Sequence, residues 1–120
     1  MGKAVTVLGE QGVVCDHCEL ADNPWTRFRG LMGRARLEPG RGLMLRPASA
    51  IHTSFMRFSI DAVFLDDELR VLRVRENLRP WRAAAVPGAK VVLELAAGQA
   101  SSTGLVPGVR IGMTTLRRGS

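Results

Sequence analysis

Residues 51–65, IHTSFMRFSIDAVFL, decide how the rest of this chain is read. From Met56 the apolar side chains fall on every second residue: Met56, Phe58, Ile60, Ala62 and Phe64. Arg57, Ser59 and Asp61 stand between them, and this period of two predicts a β-strand with one buried and one polar face. Before Met56 the apolar phase is the odd one (Ile51, Phe55), so the chain must bulge or bend where Phe55 meets Met56. The segment also holds His52 and Asp61. Along a straight strand they would lie roughly 30 Å apart, so only that bend could bring them together.

Toward the C-terminus, Asp66, Asp67 and Glu68 form a charged turn into a second strand at 69–74, which predicts a hairpin with 61–65. Residues 77–88 hold two prolines and three consecutive alanines and read as the longest irregular stretch, a common setting for function. Residues 91–95, VVLEL, read as a strand with Val91, Leu93 and Leu95 on one face. Glu94 then faces solvent if the sheet is flat, or a polar pocket if the sheet curls. Residues 109–113 read as the last strand and 114–120 as a flexible tail.

Toward the N-terminus, residues 43–46 form a strand ended by Pro47, preceded by a turn at 38–42. The one main helix is expected near residues 23–33. Asn23 suits its N-cap, and Pro24 suits the first helical position, where no N–H is needed. Trp25, Phe28, Leu31 and Met32 fall on one face, and Arg27 and Arg34 share another. Gly33 suits the residue after the helix. Gly30, inside it, costs about 1 kcal/mol relative to Ala and implies close packing against a strand or a ligand. Short strands at 5–8 and 13–15 flank Gly9 and Gly12. Many short strands with one helix predict a single α+β domain over residues 1–120. It should be β-rich, with a mostly antiparallel sheet or a barrel-like form.

At 120 residues such a domain buries a core without disulfides or metal. No apolar run approaches the ~20 residues of a membrane helix. The first eight residues lack the apolar stretch of a secretory signal, so the expected setting is cytoplasmic, with no membrane partner. The net charge of +6 raises nucleic acid as a partner. Fifteen of the seventeen basic residues are Arg, which G+C-rich coding alone would produce. They are dispersed except for Arg70, Arg73, Arg75, Arg79 and Arg82, and dispersed charge favours a solvated surface. Nucleic-acid binding through that run therefore stands as a second alternative.

Cys15 and Cys18 form a C-x-x-C with His17 between them. A zinc site needs two further ligands, and only His52 remains. A redox pair wants its first Cys at a helix N-terminus within a βαβ unit, which the predicted strands do not supply. Two partly buried, reduced thiols are the favoured reading, with Cys15, Cys18 and His17 as the weaker metal alternative. No cofactor is implied.

Four ordered blocks carry a further signal: Arg29-Gly-Leu-Met-Gly-Arg34; Gly42-Leu-Met-Leu45; His52-Thr-Ser-Phe-Met56 with Ile60-Asp61 and Phe64; and Val92-Leu-Glu-Leu95 with Gly98. From about residue 21 to 108 the chain resembles the domain of unknown function 192 (DUF192) family. The resemblance implies a compact β-rich α+β domain and no established activity. The chain departs from the family's pattern in three ways: no glycine in the hairpin turn at 66–68, Gly108-Val109 where Gly-Asp is usual, and no export signal or anchor of the kind many relatives carry.

For chemistry, an enzyme would use His52 as a general base and Asp61 as its orienter, a hydrolase-like alternative for which no activated nucleophile is evident. More economically, His52 and Thr53 satisfy backbone groups at the bend, and Asp61 pairs with Arg29 or Arg34. The favoured reading is a small binding or accessory module with a polar pocket for a small anionic ligand or a protein partner. Its candidate residues are Arg29, Arg34, His52, Thr53, Asp61 and Glu94, with the arginines holding the anion.

Overall fold

The computed structural model describes residues 3–115. Strands β1 (Ala4–Gly9) and β2 (Gly12–Ala21) form a hairpin that leads into helix α1 (Pro24–Arg29) and strand β3 (Arg41–Leu45). Next come β4 (Ala50–His52), β5 (Ile60–Leu65), β6 (Val71–Leu78), β7 (Ala83–Ala85) and β8 (Val91–Ala96). Helix α2 (Gln99–Ser102) and β9 (Gly112–Thr115) complete the order. Seven strands make one mixed sheet in the order β6-β5-β8-β3-β2-β1-β9, and β4 and β7 form a separate ribbon. Only β2 and β3 pair in parallel, joined through α1 as a strand–helix–strand unit. The expected β-rich α+β class is what the chain adopts.

The sheet curls until its ends meet. Val71 N–H donates to the Val109 carbonyl, Gly108 N–H to that of Val71 and Ile111 N–H to that of Leu69, at 2.8–2.9 Å. Residues 108–111, leading into β9, are thereby tied to the start of β6, and both edges are occupied at that end. Thr114 and Thr115, expected in a tail, pair with Thr6 and Val5 of β1; the remainder of that tail lies outside the described residues.

Two cores result, one on each side of the sheet. The inner one gathers Val7, Val14, Met44, Val63, Leu93 and Leu95. The outer one joins Leu43, Leu45, Ala62, Phe64 and Val92 of the sheet to Leu31, Ile51, Met56 and Ala84 of an overlying layer. That layer consists of α1, the β4–β7 ribbon and their loops. Each fully buried Leu, Val or Phe contributes about 1.5–3 kcal/mol.

Double coverage changes the reading of the central strand. All six residues of β5 are buried, including Asp61, so the strand has no polar surface face. It begins only at Ile60, because Phe55 takes a left-handed backbone (φ +64°) at the expected bend and Met56 N–H closes a turn on the Thr53 carbonyl. The β5–β6 hairpin turns without glycine. Asp66 Oδ1 accepts the N–H groups of Glu68 and Arg70, both at 2.9 Å, while Leu69 takes the positive φ of +64°.

Helix α1 starts as expected: the Asn23 side chain accepts Thr26 N–H at 2.9 Å, and the Thr26 hydroxyl accepts Asn23 N–H in return. It ends three residues early. Gly30 is the C-terminal cap rather than an interior residue, with φ +50° and ψ −126°, a conformation that a side chain strains. The predicted apolar face splits there, since Leu31 is buried while Trp25 and Phe28 remain exposed. The irregular stretch expected at 77–88 is shorter too, with β6 reaching Leu78 and β7 lying inside it.

Candidate functional site

The outer layer does not seal the sheet. Between α1, the β4–β7 ribbon and strands β3 and β8 lies a cleft of about 410 Å³, a size common for small-molecule sites. Most of its wall is apolar, from Phe28, Leu31, Met32, Leu45, Ile51 and Met56. Arg27, Arg29 and Glu94 are its charged-type residues, and His52 stands on its rim strand.

Glu94 is placed there by the pleat of β8 and by the layer that covers the outer face. In β8 it alternates with Leu93 and Leu95, which face the inner core, so it leaves the opposite side of the sheet beside Leu43 of β3 and Ala62 of β5. It is only 2% exposed, and its Oε1 has no hydrogen-bond partner among the described residues. Burial pushes its pKa up to about 8, against a downward pull from the Arg34 guanidinium. At neutral pH the carboxyl therefore holds its proton and offers an O–H. A Cβ on Gly30 would come within 4.0 Å of Glu94 Oε1, so the helix end presses on this carboxyl.

Arg29 lines the same cleft and also a second one of about 400 Å³ on the other side of α1. Its guanidinium makes no hydrogen bond or ion pair among the described residues. Arg34 is engaged instead, in a two-pronged pair with Glu19 at 3.1 and 3.2 Å. Arg27 donates to the Asp22 carbonyl at 3.3 Å.

His52 spends both ring nitrogens on backbone. Nδ1 accepts Ser54 N–H at 3.2 Å, which assigns the proton to Nε2, 3.2 Å from the Phe28 carbonyl. The ring thereby ties β4 to α1. Thr53, fully buried, donates its hydroxyl to the Arg79 carbonyl at 2.6 Å and accepts Arg82 N–H at 2.8 Å. The economical sequence reading of these two residues describes what they do.

Asp61 departs from both expectations. It meets no arginine and does not line the cleft. One carboxylate oxygen accepts Asn77 N–H at 2.9 Å, and the other accepts Gly98 and Ala100 N–H at 2.9 and 3.0 Å. Helix α2 begins at a left-handed Gly98 with no cap of its own, and Asp61 supplies one from across the sheet. A His52–Asp61 dyad is therefore not formed. Of the six candidates, Arg29, His52 and Glu94 share a cleft; Arg34 lies beside the second one; Thr53 and Asp61 hold the frame.

Cys15 and Cys18 are fully buried in the inner core. Three residues apart, they would normally face opposite ways. A bulge in β2, which sets Val5 opposite Cys18 but Val7 opposite Cys15, turns both inward. Both thiols lie inside the first strand of the strand–helix–strand unit, not at its helix. The hydrogen bond with Cys15 and burial raise the Cys18 pKa. His17 is half-buried, and no group of three or more His, Cys, Asp or Glu among the described residues is arranged to hold a metal. The basic run divides as well: Arg70 binds the Gly108 carbonyl at 2.8 Å at one end of β6, while Arg79 and Arg82 lie beyond its other end. Among the described residues no helix is long and apolar enough to cross a membrane.

Similar proteins share this frame. The chain is 37% identical over 86 residues to a UPF0127 protein of Thermococcus sibiricus, a match covering 67% of this chain and 54% of the relative. It is 43% identical over 84 residues to a UPF0127 protein of Pyrococcus abyssi, covering 63% and 68%. The chain thus spans about half the length of the first of these relatives. A crystal structure of a protein of unknown function from Novosphingobium aromaticivorans superposes with a TM-score of 0.80 at 26% identity, covering 91% of this chain and 83% of that one. A Sinorhizobium meliloti structure described as "a putative transcription regulator" also gives 0.80, at 23% identity with 94% of both chains covered, a likeness of fold alone. The family model described as "Uncharacterized ACR, COG1430" matches residues 5–113, so the chain belongs to the DUF192 family.

Proposed function

We propose that the domain is a binding module whose outer cleft takes a small organic anion, with Arg29 and Glu94 as its polar anchors. The observation that carries this reading is a buried carboxyl whose Oε1 has no partner among the described residues, in an apolar cleft that Arg29, likewise unpaired among them, also lines. Leaving a buried polar group unsatisfied costs about 1–3 kcal/mol, which a ligand supplying the missing partner would recover.

The charges choose the ligand's sign. Arg27 and Arg29 line the cleft, Arg34 is close enough to act on Glu94, and Glu94 itself is neutral at pH 7. A carboxylate or similar anion would accept the Glu94 O–H and meet Arg29 in a charge-assisted pair, while its apolar body lies along Leu45, Ile51 and Met56. A cationic ligand would instead confront the arginines. With both His52 nitrogens committed to backbone and Asp61 elsewhere, the cleft offers recognition groups rather than a base beside a nucleophile.

Calorimetric titration with acetate, hexanoate and benzoate tests this. Hexanoate and benzoate should bind saturably and more tightly than acetate, and Arg29→Ala should weaken them roughly 10- to 100-fold. Absence of saturable binding, or equal binding by Arg29→Ala, would remove the proposal.

A further inference from the structure

The outer layer carries a second feature, which shares Phe28, His52, Arg27 and Arg29 with the cleft but extends well beyond it. Four of the six aromatic residues of this chain are exposed, and all four are on this layer: Trp25 (67%), Phe28 (59%), Phe55 (61%) and Trp81 (60%). Aromatic side chains ordinarily fill cores, and here only Phe64 and Phe58 do so, in the outer core, while the inner one is aliphatic apart from its two thiols and methionines. The rings form two groups. Trp25, Phe28 and the His52 ring follow one another at centroid spacings of 6.3 and 5.5 Å, and Phe55 meets Trp81 edge-on at 4.7 Å.

The second group is held outward against backbone preference. Phe55 and Trp81 both take positive φ, +64° and +63°, which costs about 1–2 kcal/mol each for a residue with a side chain. Buried Thr53 pins both: its carbonyl accepts the N–H of Met56 and of Trp81, and its hydroxyl binds Arg79 and Arg82. The hydrogen bonds of Thr53 therefore hold these loops against the strain.

Charge is sorted to the same face. The three segments that make the layer, residues 24–37, 46–60 and 77–90, contain seven arginines besides Arg34 and no Asp or Glu. Of those seven, only Arg36 has an acidic partner among the described residues, Glu38. At the layer's border, Arg73 and Arg75 of β6 stand opposite Phe64 and Ala62, outer-core residues, so they leave the sheet on this same side.

From these observations we propose that the outer layer binds single-stranded nucleic acid, its bases stacking on Trp25, Phe28, Phe55 and Trp81 and its phosphates meeting the intervening arginines. Rings with free faces among guanidinium groups suit unpaired bases of any identity, because every base has a face to stack. Three segments without an acidic residue also suit a polyanion better than a mixed-charge protein surface, with Glu19 and Asp22 standing at their border near Trp25. Of the four rings only Phe28 lines the cleft, so stacking on Trp25, Phe55 and Trp81 and anion binding in the cleft can each fail alone.

Fluorescence anisotropy with a labelled oligo-dT of about twelve nucleotides tests it, a length within the roughly 4–16 that known single-strand sites span. Binding should saturate, quench tryptophan emission and weaken steeply with salt. Trp25→Ala and Trp81→Ala keep the net charge and should each weaken it roughly 5- to 100-fold, whereas Glu94→Gln should leave it unchanged. Equal binding by both tryptophan variants would reduce the effect to net charge and overturn the proposal. So would the absence of binding at low salt, or an acidic peptide displacing the strand at equal concentration, which would mark a protein-docking face.

Discussion

At the scale of single residues, two buried carboxyls in one sheet have opposite fates because of what faces them. Asp61 is surrounded by three backbone N–H donors, and Glu94 by apolar side chains. Asp61→Ala would strand the donors of Asn77, Gly98 and Ala100, and urea denaturation should show a loss of about 3 kcal/mol or more. Glu94 works in the other direction. Its folded pKa of about 8 lies above the ordinary 4.5, so the native state keeps a proton that the unfolded chain has released between those values. Its contribution is complete below about pH 4.5 and is lost as pH rises toward 8. Glu94→Gln should flatten the decline of stability across that window by up to about 1.4 kcal/mol per pH unit. An unchanged slope in urea titrations would show that Glu94 is not the group responsible.

At the scale of elements, the outer layer is a set of short pieces tied by side chains rather than by a long helix or wide sheet. Thr53 joins the loop after β4 to the loop before β7. Thr53→Ala should cost about 1–3 kcal/mol, and the amides of Trp81 and Arg82 should exchange much faster while those of β5 and β8 stay protected. Equal protection in both regions would contradict that linkage. These elements also mark where sequence reading succeeds. The cap at Asn23 and Pro24, the bend at Phe55 and the hairpin after Leu65 are local, and each is written in adjacent residues. The burial of Asp61 is not local. Alternation assigns polar positions to solvent, but Asp61 shares its face of β5 with Val63 and Leu65, which the inner core covers with residues far away in the chain. Helical spacing likewise predicts burial of Trp25 and Phe28, because it cannot register that Gly30 ends the helix after six residues. Glu94 is legible only as a choice between solvent and pocket, and the layer of α1 and the β4–β7 ribbon over the outer face decides it.

At the scale of the whole molecule, one sheet serves two purposes. Its inner face is closed by the bonds between residues 108–111 and the start of β6, and it buries Cys15 and Cys18 with the aliphatic core. Its outer face is covered incompletely, and the gap leaves a cleft that the buried Glu94 and Arg29 both line. The proposed ligand chemistry depends on that division, since a stable closed side lets the open side carry an unpaired carboxyl. The most direct measurement is hexanoate affinity as a function of pH, for the native protein and for Glu94→Gln. In the native protein affinity should hold below pH 8 and fall tenfold or more above it, as Glu94 ionises and repels the anion. In Glu94→Gln, whose amide still donates a hydrogen bond, affinity should persist across the same range. Equal pH profiles for the two proteins, or no hexanoate binding by either, would contradict the assignment of the cleft to an anion held by Glu94 and Arg29.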